Sequence, residues 1–226
     1  MHPIMAAAIS SLPPAAAPAD PLAPAPGLRV LLLGAGDGLA ARELLRYGDH
    51  LQSIDLVDLD PHMTSLFEKG GPRAIPELVE LTQSSMTDER VTVHHMDAGQ
   101  YVLDHAQRIS RLLKESGGEA GELPYYDVVI IDLPDPMMGV LSDLYSVEFY
   151  RETFAILEPS RGLLVTQATG LLSTKESFWC IEATLRHATT SGTDLNRPAA
   201  GGGGGEGGWV RPYKAYVPVS SSTAPH

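Results

Sequence analysis

Five aspartates stand where apolar runs of this chain end: Asp37 in LLLGAGDGLAARELL, Asp58 in VDLD, Asp97 in HHMDAGQY, and Asp132 and Asp135 in DVVIIDLPDP. A carboxylate at the carboxyl end of a buried strand can accept hydrogen bonds from hydroxyl or amino groups, attract a cation, or take up a proton. The last pair is the most pointed. Asp132 closes an apolar run and Asp135 follows by three, while Pro134 and Pro136 each fix φ and exclude helix for the residue before. A stiff, extended loop of this kind can hold both carboxylates toward one cleft, where like charges raise one pKa and a cationic amine is attracted. A turn with a helix cap would not need two acids and two prolines together.

Gly34, Gly36 and Gly38 make a tight turn between a strand and a helix, with Asp37 inside it. The third glycine is misplaced for the dinucleotide fingerprint, which would want glycine at Leu39. An acid in that turn would also compete with a pyrophosphate for the same amides, which argues against NAD and nucleoside triphosphates. Taken alone, Asp37 is equally a helix cap or a ligand contact. Asp58 lies about 20 residues past the turn, the spacing at which an acid accepts hydrogen bonds from ribose hydroxyls. Asp60, before Pro61, reads as an N-cap. Asp97 could accept an adenine amino group or cap the helix from Gly99, and both remain open. His94 and His95 point to opposite faces by alternation, so they are structural rather than a metal pair.

The elements that must position these acids alternate between β-type apolar runs and helix-period segments. Strands are expected at 29–34, 53–60, 90–95, 127–132 and 162–167, with helices over 39–48, 61–70, 99–116, 142–157 and 174–188. That rhythm predicts an α/β fold: a doubly wound, mostly parallel sheet with helices on both faces. In such sheets ligands lie outside the carboxyl ends of the strands, where the strand order reverses. Gly48 and Gly70 sit at helix C-terminal stops. Two insertions, 71–89 and 189–208, interrupt the rhythm and are expected to carry no chemistry. Residues 1–28 read as a disordered alanine and proline leader, 29–189 as the folded domain, 190–208 as a glycine-rich linker, and 209–226 as a terminal strand and tail.

At 226 residues and 43% hydrophobic content, one sizeable core is affordable by length. The formal charge of -12 disfavours nucleic acid and anionic lipid as partners and suits cationic small molecules. The lone Cys180 excludes an internal disulfide, and the absence of metal-ligand spacing gives no support for a metal site. In SFWCIEATL it reads as a packed core thiol on a helix. No apolar run approaches the roughly 20 residues of a membrane span, and the chain's start lacks a secretory signal pattern, so a cytoplasmic protein is expected.

Taken together and in order, GAGDG with ARELLRY, the acid of VDLD, MDAGQY, DLPDP, LYSVEFYRETFAIL and LLVTQATG resemble the spermidine synthases, polyamine aminopropyltransferases with the class I methyltransferase fold. The resemblance runs from about Val30 to Ala188. It implies a cofactor-binding set of Gly34, Gly36, Asp37, Gly38, Asp58 and Asp97, with Asp37 on the aminopropyl end of decarboxylated S-adenosylmethionine, Asp58 on its ribose and Asp97 on its adenine. It further implies that Asp132 takes a proton from the attacking amine and Asp135 orients the amine's cationic chain, with Tyr145 and Gln167 as pocket walls. No tightly bound cofactor is implied; the sulfonium compound is a co-substrate and a polyamine the acceptor. Family members carry an N-terminal β-rich domain whose glutamine, tyrosine and histidine close over both substrates, and here the leader stands in its place. The same domain supports the family's usual dimer, so homo-oligomerisation is an open expectation. The alternatives are a small-molecule methyltransferase on the same fold and an inactive homologue that binds polyamine or nucleoside.

Overall fold

The computed structural model describes residues 27–116, 123–134, 142–168, 174–190 and 210. Five strands, β1 (Leu28–Gly34), β2 (Leu51–Asp58), β3 (Val91–His95), β4 (Val128–Asp132) and β5 (Leu163–Thr166), form one parallel sheet in the order β3-β2-β1-β4-β5. The helices are α1 (Leu39–Leu45), α2 (Pro61–Ser65), α3 (Pro76–Leu81), α4 (Ala98–Glu115), α5 (Val147–Ala155) and α6 (Lys175–Thr190). The chain winds outward from β1 to β3 and then returns to place β4 on the other side of β1. The order therefore reverses between β1 and β4, which fixes where a ligand crevice opens.

Alternation along the strands decides which helices lie on which face. Leu31, Leu33, Val57, Val129 and Ile131 pack with Val102 and Ile109 of α4, Phe149 and Tyr150 of α5 and Ile181 of α6. Val30, Leu32, Ile54, Leu56, Val128 and Ile130 pack on the other side with Ala41 and Leu44 of α1 and with Phe67 and Met86. Both faces of the central strands are thereby covered, so β1 and β4 read as unbroken apolar runs instead of alternating ones. At the opposite end of the sheet from the crevice, Asp127 accepts the Arg29 amide at 2.9 Å and an Arg161 guanidinium N–H at 2.8 Å, tying the starts of β1, β4 and β5 together.

Three expectations need adjustment. Cys180 is exposed and not packed in the core. On α6 the buried stripe runs through Ile181, Leu185 and Ala188, and Cys180 stands about 100° from it. The helix expected over 61–70 stops at Ser65, and the chain continues through tight turns that bury Phe67 before Gly70 adopts φ 81°. The insertion at 71–89 is not an empty excursion. It forms α3 and a single 3₁₀ turn, Ser85–Thr87, whose Ser85 and Met86 are buried.

A polar network lies between β2, β3 and α4. Asp55 accepts the Tyr126 hydroxyl at 2.9 Å, Tyr101 and Tyr126 share a 2.7 Å hydrogen bond, and the His94 ring contacts Asp55 at 2.7 Å. His95 turns to the opposite face, to Thr64 at 2.7 Å, as alternation requires. His105 stacks near Tyr101 and reaches the Pro124 carbonyl at 2.7 Å. Burial lowers its imidazole below the usual 6.5, with Arg108 and Arg29 nearby adding to the effect. Folded His105 stays neutral where an unfolded imidazole already binds a proton. Its contribution is therefore intact above about pH 6.5 and declines as pH falls below it. His105→Gln is expected to flatten the decline in urea midpoint between pH 7.5 and 5.5 relative to the parent chain; an unchanged slope would show that His105 does not carry it.

Candidate functional site

The acids meet at the carboxyl edge of the sheet. Gly34 is the register partner of Asp132, and a Cβ built on Gly34 would stand 2.3 Å from the Asp132 carbonyl oxygen. Gly34 has φ 84°, so the turn begins in backbone that only glycine adopts freely. On the other side, a Cβ on Gly36 would lie 2.4 Å from the Asp58 Oδ2, so the Asp58 carboxylate occupies the space that glycine leaves. Asp58 in turn is the register partner of His95, two residues before Asp97. Four of the five aspartates thus stand at the ends of four adjacent strands, spanning the point where strand order reverses. Asp135 lies outside the described residues.

Asp37, Asp58 and Asp97 each accept a hydrogen bond from a backbone amide. Asp37 Oδ1 accepts the Leu39 N–H at 3.0 Å, Asp58 Oδ1 the Asp60 N–H at 2.8 Å, and Asp97 Oδ1 the Gln100 N–H at 2.9 Å. Among the described residues, the Oδ2 of each accepts no hydrogen bond, which leaves one oxygen per acid for a ligand donor. Asp97 and Asp60 do cap helices, Asp60 through the His62 amide at 2.8 Å, and Asp37 closes a turn onto Leu39. Capping and ligand binding use different oxygens of the same carboxylate, so the two readings are compatible.

Past Asp132 the chain is held by its carbonyls. The buried Tyr145 hydroxyl donates to the Pro134 oxygen at 3.1 Å and lies 3.3 Å from that of Leu133, while the Gln167 amide N–H₂ donates to the Leu133 oxygen. Both expected pocket walls therefore hold the backbone that leads into the acidic loop. Ser146 caps α5 through the Phe149 amide at 3.1 Å and so fixes Tyr145 beside the loop.

The sequence reading missed two groups. Ser85 donates to the Gly38 carbonyl at 2.8 Å from 47 positions away, and Met86 packs against Gly38. Periodicity carries no signal for a contact from an insertion. Asp55 was readable, because an acid in the middle of the apolar run SIDLVD must find partners when the strand is covered.

The family model for the spermine/spermidine synthase domain matches residues 21–195. Among curated proteins, polyamine aminopropyltransferase 2 of Ralstonia nicotianae is 41% identical over 160 residues, covering 71% of this chain and 27% of the relative. Polyamine aminopropyltransferase of Oceanobacillus iheyensis is 36% identical over 167 residues, covering 74% of this chain and 27% of the relative. The chain thus spans about a quarter of the length of these relatives. Among solved structures, spermidine synthase from Thermotoga maritima superposes with a TM-score of 0.54 at 20% identity, over 73% of this chain and 46% of the other, and shows the same fold. The helix-flanked parallel sheet is the class I methyltransferase-like fold, and the chain belongs to the spermine/spermidine synthase family.

Proposed function

We propose that this domain transfers an aminopropyl group from decarboxylated S-adenosylmethionine to putrescine or a related polyamine, releasing methylthioadenosine. The observation that carries the proposal is the row of Asp97, Asp58, Asp37 and Asp132 along the strand ends, with the glycine turn in direct contact with both Asp58 and Asp132. In this reading Asp97 accepts the adenine amino group and Asp58 the ribose hydroxyls, while Gly34, Gly36 and Gly38 let the backbone approach the nucleoside. Asp37 faces the aminopropyl ammonium. Ordinary S-adenosylmethionine carries a carboxylate there, which Asp37 would repel, and this separates propyl transfer from methyl transfer on the same fold.

The amine nitrogen forms a bond to the propyl carbon beside the sulfonium as the carbon–sulfur bond breaks, and the electron pair leaves on sulfur as a neutral thioether. The attacking amine must first shed one proton so that its lone pair is free, and Asp132 accepts it, while Asp135 holds the amine's distal cation. Positioning and this single proton transfer are the protein's contribution. Tyr145 and Gln167 act by fixing the Leu133 and Pro134 carbonyls and hence the direction of the loop.

The test is release of methylthioadenosine from decarboxylated S-adenosylmethionine with putrescine or spermidine as acceptor, followed by chromatography. Calorimetry should show the decarboxylated form binding at least tenfold more tightly than the ordinary one, the size of about 1.4 kcal/mol of charge discrimination. Tighter binding of ordinary S-adenosylmethionine would instead support a methyltransferase. Binding without release would indicate an inactive homologue.

A further inference from the structure

The turn that carries Asp37 does not hold its shape alone. Its backbone takes positive φ at three of its five positions, Gly34 at φ 84°, Ala35 at φ 61° and, after Gly36 and Asp37, Gly38 at φ 68°. A single backbone bond, Gly38 N–H to the Ala35 carbonyl at 3.0 Å, closes it from within. What closes it from outside is the segment between β2 and β3. After α3 the chain takes two successive left-handed residues that are not glycine, Gln83 at φ 53° and Ser84 at φ 59°. Such backbone persists only where surrounding contacts over-determine it. The contacts are visible: the Gln83 amide donates to Glu80 and the Ser84 amide to Val79, each at 3.0 Å, and Arg42 of α1 donates to the Leu81 carbonyl at 2.7 Å.

The reversal throws Ser85 and Met86 inward, to 1% and 6% exposure. The Ser85 hydroxyl donates to the Gly38 carbonyl at 2.8 Å, sharing it with the Arg42 amide at 3.0 Å. Met86 fills the volume beside Gly38, where an added Cβ would lie 2.9 Å from its Cγ and Sδ. Gly38 stands between Asp37 and Leu39, whose amide the Asp37 Oδ1 accepts at 3.0 Å. We propose that Ser85 is a positioning residue for the co-substrate: delivered by the left-handed pair at 83–84, it locks the Gly38 carbonyl and thereby aims Asp37. This rests on the proposed function only in naming the nucleoside co-substrate as the group aimed at.

Ser85→Ala removes the donor and leaves the volume nearly intact. Its affinity and its KM for decarboxylated S-adenosylmethionine are expected to worsen roughly tenfold, the loss of about one hydrogen bond's influence, while its affinity for methylthioadenosine, which lacks the aminopropyl ammonium that Asp37 faces, stays within about twofold. The KM for the amine and kcat should stay within about twofold, and the melting temperature should move by only a few degrees. That split distinguishes positioning from general loosening, which would degrade amine and nucleoside together. Affinity of Ser85→Ala for decarboxylated S-adenosylmethionine equal to that of the parent overturns the inference, as does an equal loss for both substrates or an equal loss for methylthioadenosine. The calorimetric arm needs no turnover. A parent chain that binds decarboxylated S-adenosylmethionine but does not release methylthioadenosine from it would refute the proposed reaction while the Ser85 comparison still decides this point; a parent chain that does not bind the decarboxylated co-substrate refutes both.

Discussion

Asp132→Asn is expected to reduce single-turnover release of methylthioadenosine by about 10²- to 10⁴-fold, the range that a positioned general base contributes. Asparagine keeps the shape of the side chain and its place at the end of β4, opposite Gly34, so the loss should be chemical and not architectural. In the proposed reaction the substituted amide would offer no basic site for the proton that the attacking amine releases. Nucleoside affinity should remain within about threefold, because the groups assigned to the nucleoside are Asp58 and Asp97 on β2 and beyond β3, not the residue closing β4. Turnover within tenfold of the parent would remove Asp132 from the mechanism and leave the proton to solvent or to another group.

The positions of the acids were legible from sequence because they depend on a local rule. Apolar runs of five to eight residues, each followed by an acid and then a helix pattern, dictate parallel strands with those acids on one edge, and the sheet shows Asp58 and Asp132 as the final residues of β2 and β4. Asp37 and Asp97 follow β1 and β3 by a few residues, as the motifs required. What was not legible depends on contacts between distant segments. Ser85 lies in an insertion whose composition promises nothing, and only the left-handed pair before it turns its hydroxyl toward Gly38. Tyr145 and Gln167 could be named as neighbours of the acidic loop, but whether they face a ligand or the loop's own carbonyls is a matter of rotamer and register that no spacing rule encodes. Cys180 failed for a simpler reason: a hydrophobic stretch such as SFWCIEATL contains both faces of a helix, and the one residue offset from Ile181 places it outside.

The two glycines of the turn should fail in different ways. Gly34→Ala must place a methyl 2.3 Å from the Asp132 carbonyl oxygen, in backbone at φ 84°, and neither the strand pairing nor the carbonyl can retreat without breaking the β1–β4 register. Left-handed backbone and a buried clash together predict a loss of about 2–4 kcal/mol in unfolding free energy. Gly36→Ala meets instead the end of a side chain, the Asp58 Oδ2 at 2.4 Å, and Gly36 carries no positive φ. Asp58 can swing aside, losing at most its bond to the Asp60 amide, so stability should fall by only about 1 kcal/mol. On the proposed assignment of Asp58 to the ribose, however, the displaced carboxylate would no longer meet the ribose hydroxyls. Nucleoside affinity is expected to drop by about tenfold to a hundredfold, the value of hydrogen bonds to a charged acceptor. Urea unfolding and calorimetry on the two variants should therefore give opposite orderings, with Gly34→Ala the less stable and, where still folded, Gly36→Ala the weaker binder. If Gly36→Ala bound methylthioadenosine as well as the parent chain, Asp58 would not be the ribose contact, and the nucleoside would have to lie elsewhere along the strand ends.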